Sequence, residues 1–273
     1  MSLTVLAPAK LNLFLHVLGR RDDGYHRLQT LFQLIDLCDE VQLQVTDDGL
    51  ISRDPPPADP VLAALPDADD LTVRAARLLQ AHSACRLGVR IHVHKRIPAG
   101  GGLGGGSSDA AAVLRGLNQA WSLHLPLPEL AALGLQLGAD VPVFVQGRNA
   151  WAEGLGEQLT PVVLPPCWYV VLRPPVAVPT AAVFGAAELT RDTPPITMID
   201  YHAGRSHNDC EPVVRSRYPQ VAAALDWLGQ YAPARLTGTG SCVFAAFATE
   251  AQARQVAGRV PAGSQAWAVQ GLV

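Results

Sequence analysis

The stretch Ala99-Gly100-Gly101-Gly102-Leu103-Gly104-Gly105-Gly106-Ser107-Ser108-Asp109 decides how the rest of the chain is read. Six of the seven residues from Gly100 to Gly106 are glycine. Ahead of it Val89, Ile91 and Val93 alternate with Arg90, His92 and His94, the period of a strand. Behind it Ala110, Val113, Leu114, Leu117 and Trp121 recur at helical spacing, with Ser107 or Ser108 expected as N-cap and Asp109 in the first turn. Strand, glycine loop and helix N-terminus together suit a phosphate. Glycines let backbone N–H groups close around it, and the helix end adds partial positive charge.

Two familiar phosphate loops do not fit. Gly100, Gly102 and Gly105 spell the dinucleotide pattern, but about twenty residues on, where an acidic residue should end a strand, stands Ala120-Trp121-Ser122-Leu123. Glu129 falls at a helix start. The nucleoside-triphosphatase loop needs a lysine where Ser107 follows Gly106.

With 273 residues, 49% apolar and 16% charged, the chain can build one large or two ordinary domains. A net charge of −3 gives no footprint for nucleic acid. No apolar run is long enough to span a membrane, and no basic-apolar leader precedes Pro8 and Lys10, so a cytoplasmic protein is expected. The five scattered cysteines suit reduced, mostly buried thiols. Of 21 basic residues only Lys10 and Lys95 are lysine, which marks both as positions wanting a compact ammonium.

Along the chain, alternation predicts an early strand over Leu11 to Val17, with Lys10, Asn12, Phe14 and His16 on one face. A turn through Gly24 leads to a strand ending near Ile35 and a separate one around Val41 to Val45. Asp54 to Asp67 reads as a proline-stiffened loop, and Leu71 to Leu79 as an amphipathic helix. Pro128 to Leu137 is a helix closed by Gly138, after which a strand is expected through Val145. Further on come a strand at Trp168 to Leu172, a helix at Val221 to Leu228 and a strand at Cys242 to Phe247. Glu250 to Val260 reads as a helix and Trp267 to Val269 as a last strand. The mixture indicates an α+β fold, with domains expected at 1–155 and 156–273.

Asp140, at the junction after Gly138, can cap, face solvent or point into a cleft. Lys10 begins a strand that also offers Asn12. Phosphoryl transfer to an alcohol needs such a carboxylate and cation beside a phosphate loop. Thr237-Gly238-Thr239-Gly240-Ser241 is either a tight turn or a close approach to a ligand. His92 and His94 lack a third metal ligand at a telling spacing, and no metal-binding residues are assigned.

Three motifs in order resemble the superfamily of galactokinase, homoserine kinase, mevalonate kinase and phosphomevalonate kinase. They are Pro8-Ala9-Lys10-Leu11-Asn12-Leu13, Gly100 through Ser108, and Thr237 through Ser241. Three more look like the branch whose acceptor is a methylerythritol bearing cytidine diphosphate, in non-mevalonate isoprenoid synthesis. These are Arg21-Asp22-Asp23-Gly24-Tyr25-His26, Leu137 through Phe144, and Ser206-His207-Asn208-Asp209-Cys210-Glu211. The resemblance implies an N-terminal domain similar to ribosomal protein S5 domain 2, a ferredoxin-like C-terminal domain and an active site in the cleft between them. It implies transfer of the ATP γ-phosphoryl to the 2-hydroxyl of a small-molecule acceptor, with Mg²⁺ as the nucleotide's counter-ion.

Residue by residue, the resemblance makes Asp140 the catalytic base, Lys10 the cation that stabilises the alkoxide, and Asn12 a substrate contact. Gly100, Gly101, Gly102, Leu103, Gly104, Gly105, Gly106, Ser107 and Ser108 would wrap the ATP phosphates. Lys95, Pro98, Asp70 and Leu71 would lie on the nucleotide side. Tyr25 would stack on cytosine, His26 would bond its edge, and Phe184 would form a second wall with Thr180 nearby. Gly238, Thr239 and Gly240 would approach the diphosphate. One departure stands out: the superfamily's Asp-Asn-Leu is Asp69-Asp70-Leu71 here, so Asp70 offers acceptors only.

Overall fold

The computed structural model describes residues 2–22, 24–54 and 66–273. Most of the loop expected over Asp54 to Asp67, together with Asp23, lies outside the described residues. Contacts divide the chain into two interleaved units. Unit 1 takes Met1–Ala9, Leu37–Ala99 and Gly104–Gly147; unit 2 takes Lys10–Asp36, Gly100–Leu103 and Arg148–Val273.

Two long strands open the chain, β1 (Ser2–Arg20) and β2 (His26–Thr46), and they pair with each other. The two strands expected between Tyr25 and Val45 are thus one. Asp36, Asp39 and Glu40 break the apolar alternation and suggest a gap, yet Asp39 is wholly buried and satisfied by partners described below.

In unit 1, the second half of β2 pairs antiparallel with β4 (Gly88–His94), Leu43 opposite Ile91. The short β3 (Ile51–Arg53) joins β4 in parallel. Helix α1 (Leu71–Ser83) packs on α2 (Gly105–Ala120). Beside them stand α3 (Leu127–Leu135) and α4 (Val141–Gln146). Val41, Leu43, Val89 and Ile91 from the strands and Val73, Leu79, Leu114 and Leu117 from the helices are buried. Removing such side chains from water is worth roughly 1.5–3 kcal/mol each.

The strand expected through Val145 is the helix α4. Val141 to Val145 are buried on all sides, which erases the periodicity that separates strand from helix. Pro142 in the first turn and Gly147 in left-handed conformation (φ 65°) at the end decide for the helix.

In unit 2, Thr30 to Phe32 of β2 pair with β5 (Ala150–Glu153), which continues to β6 (Gln158–Pro161). A second antiparallel sheet runs, from edge to edge, through residues 265–270, 168–173, 243–247 and 234–236. Its strands are β7 (Trp168–Arg173), β8 (Ala234–Leu236), β9 (Val243–Phe247) and β10 (Gln265–Gln270). The helices α5 (Thr180–Phe184), α6 (Met198–His202), α7 (Cys210–Arg217), α8 (Pro219–Gly229) and α9 (Glu250–Ala257) complete the unit. Its core joins Val170, Leu172 and Val243 to Val213, Leu225 and Leu228 and to Leu15 and Val17 of β1. The inner part of β1 is held by the distant segment 207–209. Leu15 N–H donates to His207 O (3.0 Å), Asp209 N–H to Leu15 O (2.9 Å), and Val17 N–H to Asp209 Oδ2 (2.6 Å).

No helix among the described residues is long and apolar enough to cross a membrane.

Candidate active site

In unit 2, the glycine loop is stitched to the second small-residue turn. Ser241 N–H donates to Gly100 O (3.3 Å), Cys242 N–H to Gly101 O (3.1 Å) and Thr237 Oγ1 to Gly102 O (3.4 Å). Gly102 has φ +73°, and a Cβ there would stand 2.4 Å from Thr237 O, so only glycine permits this approach. Lys10 N–H donates to Leu103 O (3.0 Å), which ties β1 to the same loop.

Lys10 and Asn12 are both 3% exposed. Lys10 Nζ donates to Asn12 Oδ1 and lies 5.4 Å from the Phe32 ring centroid. Asn12 Nδ2 donates to Thr30 Oγ1 (2.9 Å), and its backbone N–H donates to Thr237 Oγ1 (3.0 Å). With both amide ends engaged, Asn12 orients the ammonium of Lys10. Asn208 Nδ2 fixes the turn from its other side, donating to Leu236 O and Gly238 O, both at 2.9 Å.

The line of polar groups continues. Thr239 and Thr180 share a hydrogen bond between hydroxyls (3.1 Å), and Thr180 opens α5, which ends in Phe184. The Phe184 ring stacks on His26, centroids 5.2 Å apart and planes 24° apart. Arg191 Nε donates to His26 Nε2 (3.1 Å). Burial, and then the positive charges of Arg191 and Arg20, hold His26 below the usual histidine range. Tyr25 beside it is exposed, with 64% of its surface open. Within this unit the structure therefore brings together Lys10, Asn12, His26, Thr180, Phe184, Gly238, Thr239 and the loop segment 100–103.

In unit 1, α2 begins one turn earlier than its serines suggest. Gly104, at φ 72°, is the N-cap and makes no side-chain cap bond. The serines instead fall within the first turn. Ser108 Oγ donates to Pro8 O (2.7 Å), and the N–H groups of Gly105, Gly106 and Ser107 have no intrahelical acceptor. That is the donor arrangement an anion needs. A Cβ on Gly106 would lie 3.5 Å from Leu71, and one on Gly138 3.8 Å from Ser107 Oγ. Leu71 and the segment leading to Asp140 thus border the same helix end. Asp140 is half-buried and is the N-cap residue of α4, without a side-chain cap bond.

Lys95 and Asp70 are more committed than their expected roles suggest. Lys95 Nζ sits between Asp39 Oδ2 and Asp109 Oδ2 (2.6 Å to the latter). Asp39 Oδ1 also accepts from the N–H groups of Arg96 and Ile97 (2.8 Å to the latter), so the triad clamps the entry to Pro98 and the glycine loop. Burial pushes the Asp109 carboxyl up to about 7 against the pull of Lys95, with Asp39 adding to the rise. Asp109 Oδ1 is buried without a partner among the described residues. Asp70 Oδ1 caps α1 through Thr72 N–H (2.8 Å), while Oδ2 accepts from Arg53 (2.8 Å). An ion pair with Arg53 is something asparagine could not make.

Sequence reasoning gave no role to Arg191, Asp39, Thr30 or Asn208. Asn208 lies in a motif already singled out, but no spacing signals the other three. Among the described residues no three His, Cys, Asp or Glu side chains converge as a resident metal site requires; His92 lies instead 3.6 Å from Asp54.

Known proteins resemble this chain along its whole length. The GHMP kinases N terminal domain family matches residues 70–148, and the GHMP kinases C terminal family residues 199–264. The chain is 57% identical, over 100% of its length and 96% of the relative's, to 4-diphosphocytidyl-2-C-methyl-D-erythritol kinase of Thiobacillus denitrificans. It is 57% identical to the protein of the same name from Alkalilimnicola ehrlichii, covering 97% of this chain and 90% of that one. A crystal structure of 4-(cytidine 5′-diphospho)-2C-methyl-D-erythritol kinase, 35% identical, superimposes with a TM-score of 0.84 over 99% of this chain and 100% of its own. Mevalonate kinase of Methanococcus jannaschii, 15% identical with a TM-score of 0.72 over 100% of this chain and 98% of its own, shares the fold. The two-domain α+β architecture and the six sequence motifs point the same way: the chain belongs to the GHMP kinases and, among them, to the 4-diphosphocytidyl-2-C-methyl-D-erythritol kinase family.

Proposed function

We propose that this protein is a small-molecule kinase that transfers the γ-phosphoryl of ATP to the 2-hydroxyl of 4-diphosphocytidyl-2-C-methyl-D-erythritol, a step of non-mevalonate isoprenoid synthesis. The observation that carries the reading is the array from Lys10 through Asn12 to Thr237, along that turn to Thr239 and Thr180, and along α5 to Phe184 and His26. It pairs a cation for a reacting alcohol with an aromatic and hydrogen-bonding pair suited to a base. Mevalonate or homoserine would have no use for the second half.

In the proposed reaction Asp140 accepts the proton of the 2-hydroxyl as its oxygen bonds to the γ-phosphorus. The bond from that phosphorus to the bridging oxygen breaks, and ADP leaves. The acceptor is tertiary and weakly acidic, so charge control matters: Lys10, oriented by Asn12, lowers the cost of the emerging alkoxide. The backbone N–H groups of 104–107 and the loop from Gly100 hold the phosphates, with hydroxyls from Ser107 and Ser108 at the same helix end. Leu71 borders the nucleotide, with Asp70, Lys95 and Pro98 assigned to the same side. Tyr25 and Phe184 flank the cytosine, and Gly238, Thr239 and Gly240 approach the diphosphate. Mg²⁺ is assigned to the nucleotide; Ser107 or Ser108 in the first turn of α2 would help hold it through a hydroxyl, and it would supply neutralisation of phosphate charge.

The division at residue 155 into an N-terminal nucleotide domain and a C-terminal substrate-side domain is supported by family matches that fall on either side of it. The five scattered cysteines are present as thiols, which suits the reducing cytoplasm proposed for the protein. A coupled ADP-release assay that compares this acceptor with mevalonate and homoserine tests the reading. Turnover with the cytidine-bearing acceptor alone is expected, and preference for either small acid would overturn it.

A further inference from the structure

We propose that Arg191 is a positioning residue that fixes His26 as the neutral tautomer with its proton on Nδ1, and so makes the ring a hydrogen-bond donor. The proposal rests on the reading that His26 faces the cytosine of the acceptor.

A guanidinium can only donate, so the contact between Arg191 Nε and His26 Nε2 (3.1 Å) requires a lone pair on Nε2. A neutral imidazole whose Nε2 accepts carries its single proton on Nδ1. Arg191 cannot readily turn away. Its Nη1 donates to Leu189 O (3.0 Å), and its Nη2 donates to Phe184 O (3.0 Å) and Ala186 O (2.6 Å). Those carbonyls belong to the turn that carries Phe184, whose ring lies against His26. One turn therefore sets both the plane of the imidazole and the position of its proton. Burial and the nearby charges of Arg191 and Arg20 act in the same sense, since both disfavour imidazolium.

The consequence is a chemical preference. Cytosine presents acceptors at N3 and O2, whereas uracil carries a proton on N3. A ring that donates from Nδ1 complements cytosine N3 and opposes the N3–H of uracil. The other tautomer would reverse that preference at N3. A site that leaves a polar group facing the wrong partner rejects the analogue strongly, here by at least about 100-fold in kcat/KM.

The test has two arms. Protein labelled with ¹⁵N-histidine reports the His26 tautomer by two-bond proton–nitrogen correlation, without any substrate. The wild type is expected to show protonated Nδ1 and bare Nε2. Arg191→Met is expected to lose that fixed state, and Arg191→Lys to restore it in part. A wild-type ring protonated on Nε2, or charged at neutral pH, would overturn the proposal even if Arg191→Met fails to fold. So would an Arg191→Met protein with an unchanged tautomer. In the second arm, the cytidine and uridine forms of the acceptor are compared. Arg191→Met is expected to raise KM for the cytidine form with little change in kcat or in KM for ATP, and to narrow the preference for cytidine. An unchanged ratio would overturn the link to specificity. If the wild type phosphorylates neither form, the proposed function fails on its own account, while the spectra still judge the role of Arg191.

Discussion

Asn12 and Thr237 stand 225 residues apart in the chain, yet the backbone N–H of the first donates to the hydroxyl of the second across 3.0 Å. That hydroxyl in turn donates a hydrogen bond to Gly102 O (3.4 Å), so a single oxygen joins β1, the glycine loop and the turn at 237–241. Valine has nearly the shape of threonine but neither donor nor acceptor. Thr237→Val is expected to strand a buried N–H, lowering unfolding free energy by about 1–3 kcal/mol. Urea denaturation measures the loss, and ADP release should show a raised KM for both substrates. Unchanged stability would mean that the hydroxyl is not the joint between these segments.

Asp140→Asn preserves shape and removes the basic oxygen. Turnover is expected to fall by about 10²–10⁴-fold, while KM for ATP stays nearly constant. Steady-state ADP release checks both numbers. Near-normal turnover would leave the base to another residue.

Asp39 and Asp109 both hold Lys95, but their replacement by asparagine should have opposite consequences. Asp39 accepts from Lys95 and from two backbone N–H groups, and an amide nitrogen there would face a donor; Asp39→Asn is expected to cost about 3–5 kcal/mol. Asp109, pushed up to about 7, binds its proton more tightly in the folded chain than at its unfolded value of 3.8. Its contribution to stability is therefore complete below about pH 4 and is lost as pH rises through about 7. Asp109→Asn should flatten that part of the profile and leave the protein at least as stable at pH 8. Urea midpoints between pH 5 and 8 for wild type and variant decide it.

Gly100 and Gly102 form a matched pair. Both have positive φ, +69° and +73°, but a Cβ on Gly100 meets nothing within 4 Å, whereas one on Gly102 meets Thr237 O at 2.4 Å. Gly100→Ala is expected to cost about 1–2 kcal/mol from backbone conformation alone. Gly102→Ala should cost clearly more and should raise KM for ATP. Thermal unfolding and ADP release compare the two, and equal losses would show that the close approach carries no weight.

Much of this architecture was legible because local chemistry and global packing agree. The period-2 pattern around Ile91 and the helical pattern behind Ser108 each bury one face, and the structure honours both. Reading failed where burial is complete or where a polar residue serves a distant partner. Val141 to Val145 carry no exposed position to mark a period, so the pattern alone does not separate this helix from a strand. Asp39 looks like a strand-breaker in sequence, but inside the fold it is the acceptor that allows β2 to run on. Ser107 has the chemistry of a cap, yet Gly104 can take the left-handed turn that the loop requires. Arg191 was silent because its role lies in contacts with Phe184, Ala186, Leu189 and His26, and no spacing announces it.

The hold of segment 207–209 on β1 also has a meaning in time. Val17 and Asp209 are separated by 192 residues. At a synthesis rate of about 5–20 residues per second, the inner part of β1 leaves the ribosome roughly 10–40 s before the segment that satisfies it. Unit 1 uses no residue beyond Gly147, so it can be complete while Leu15 and Val17 still await their partners. The growing chain thus carries an apolar strand with unsatisfied backbone through much of its translation, and this is the stretch for a chaperone to shield.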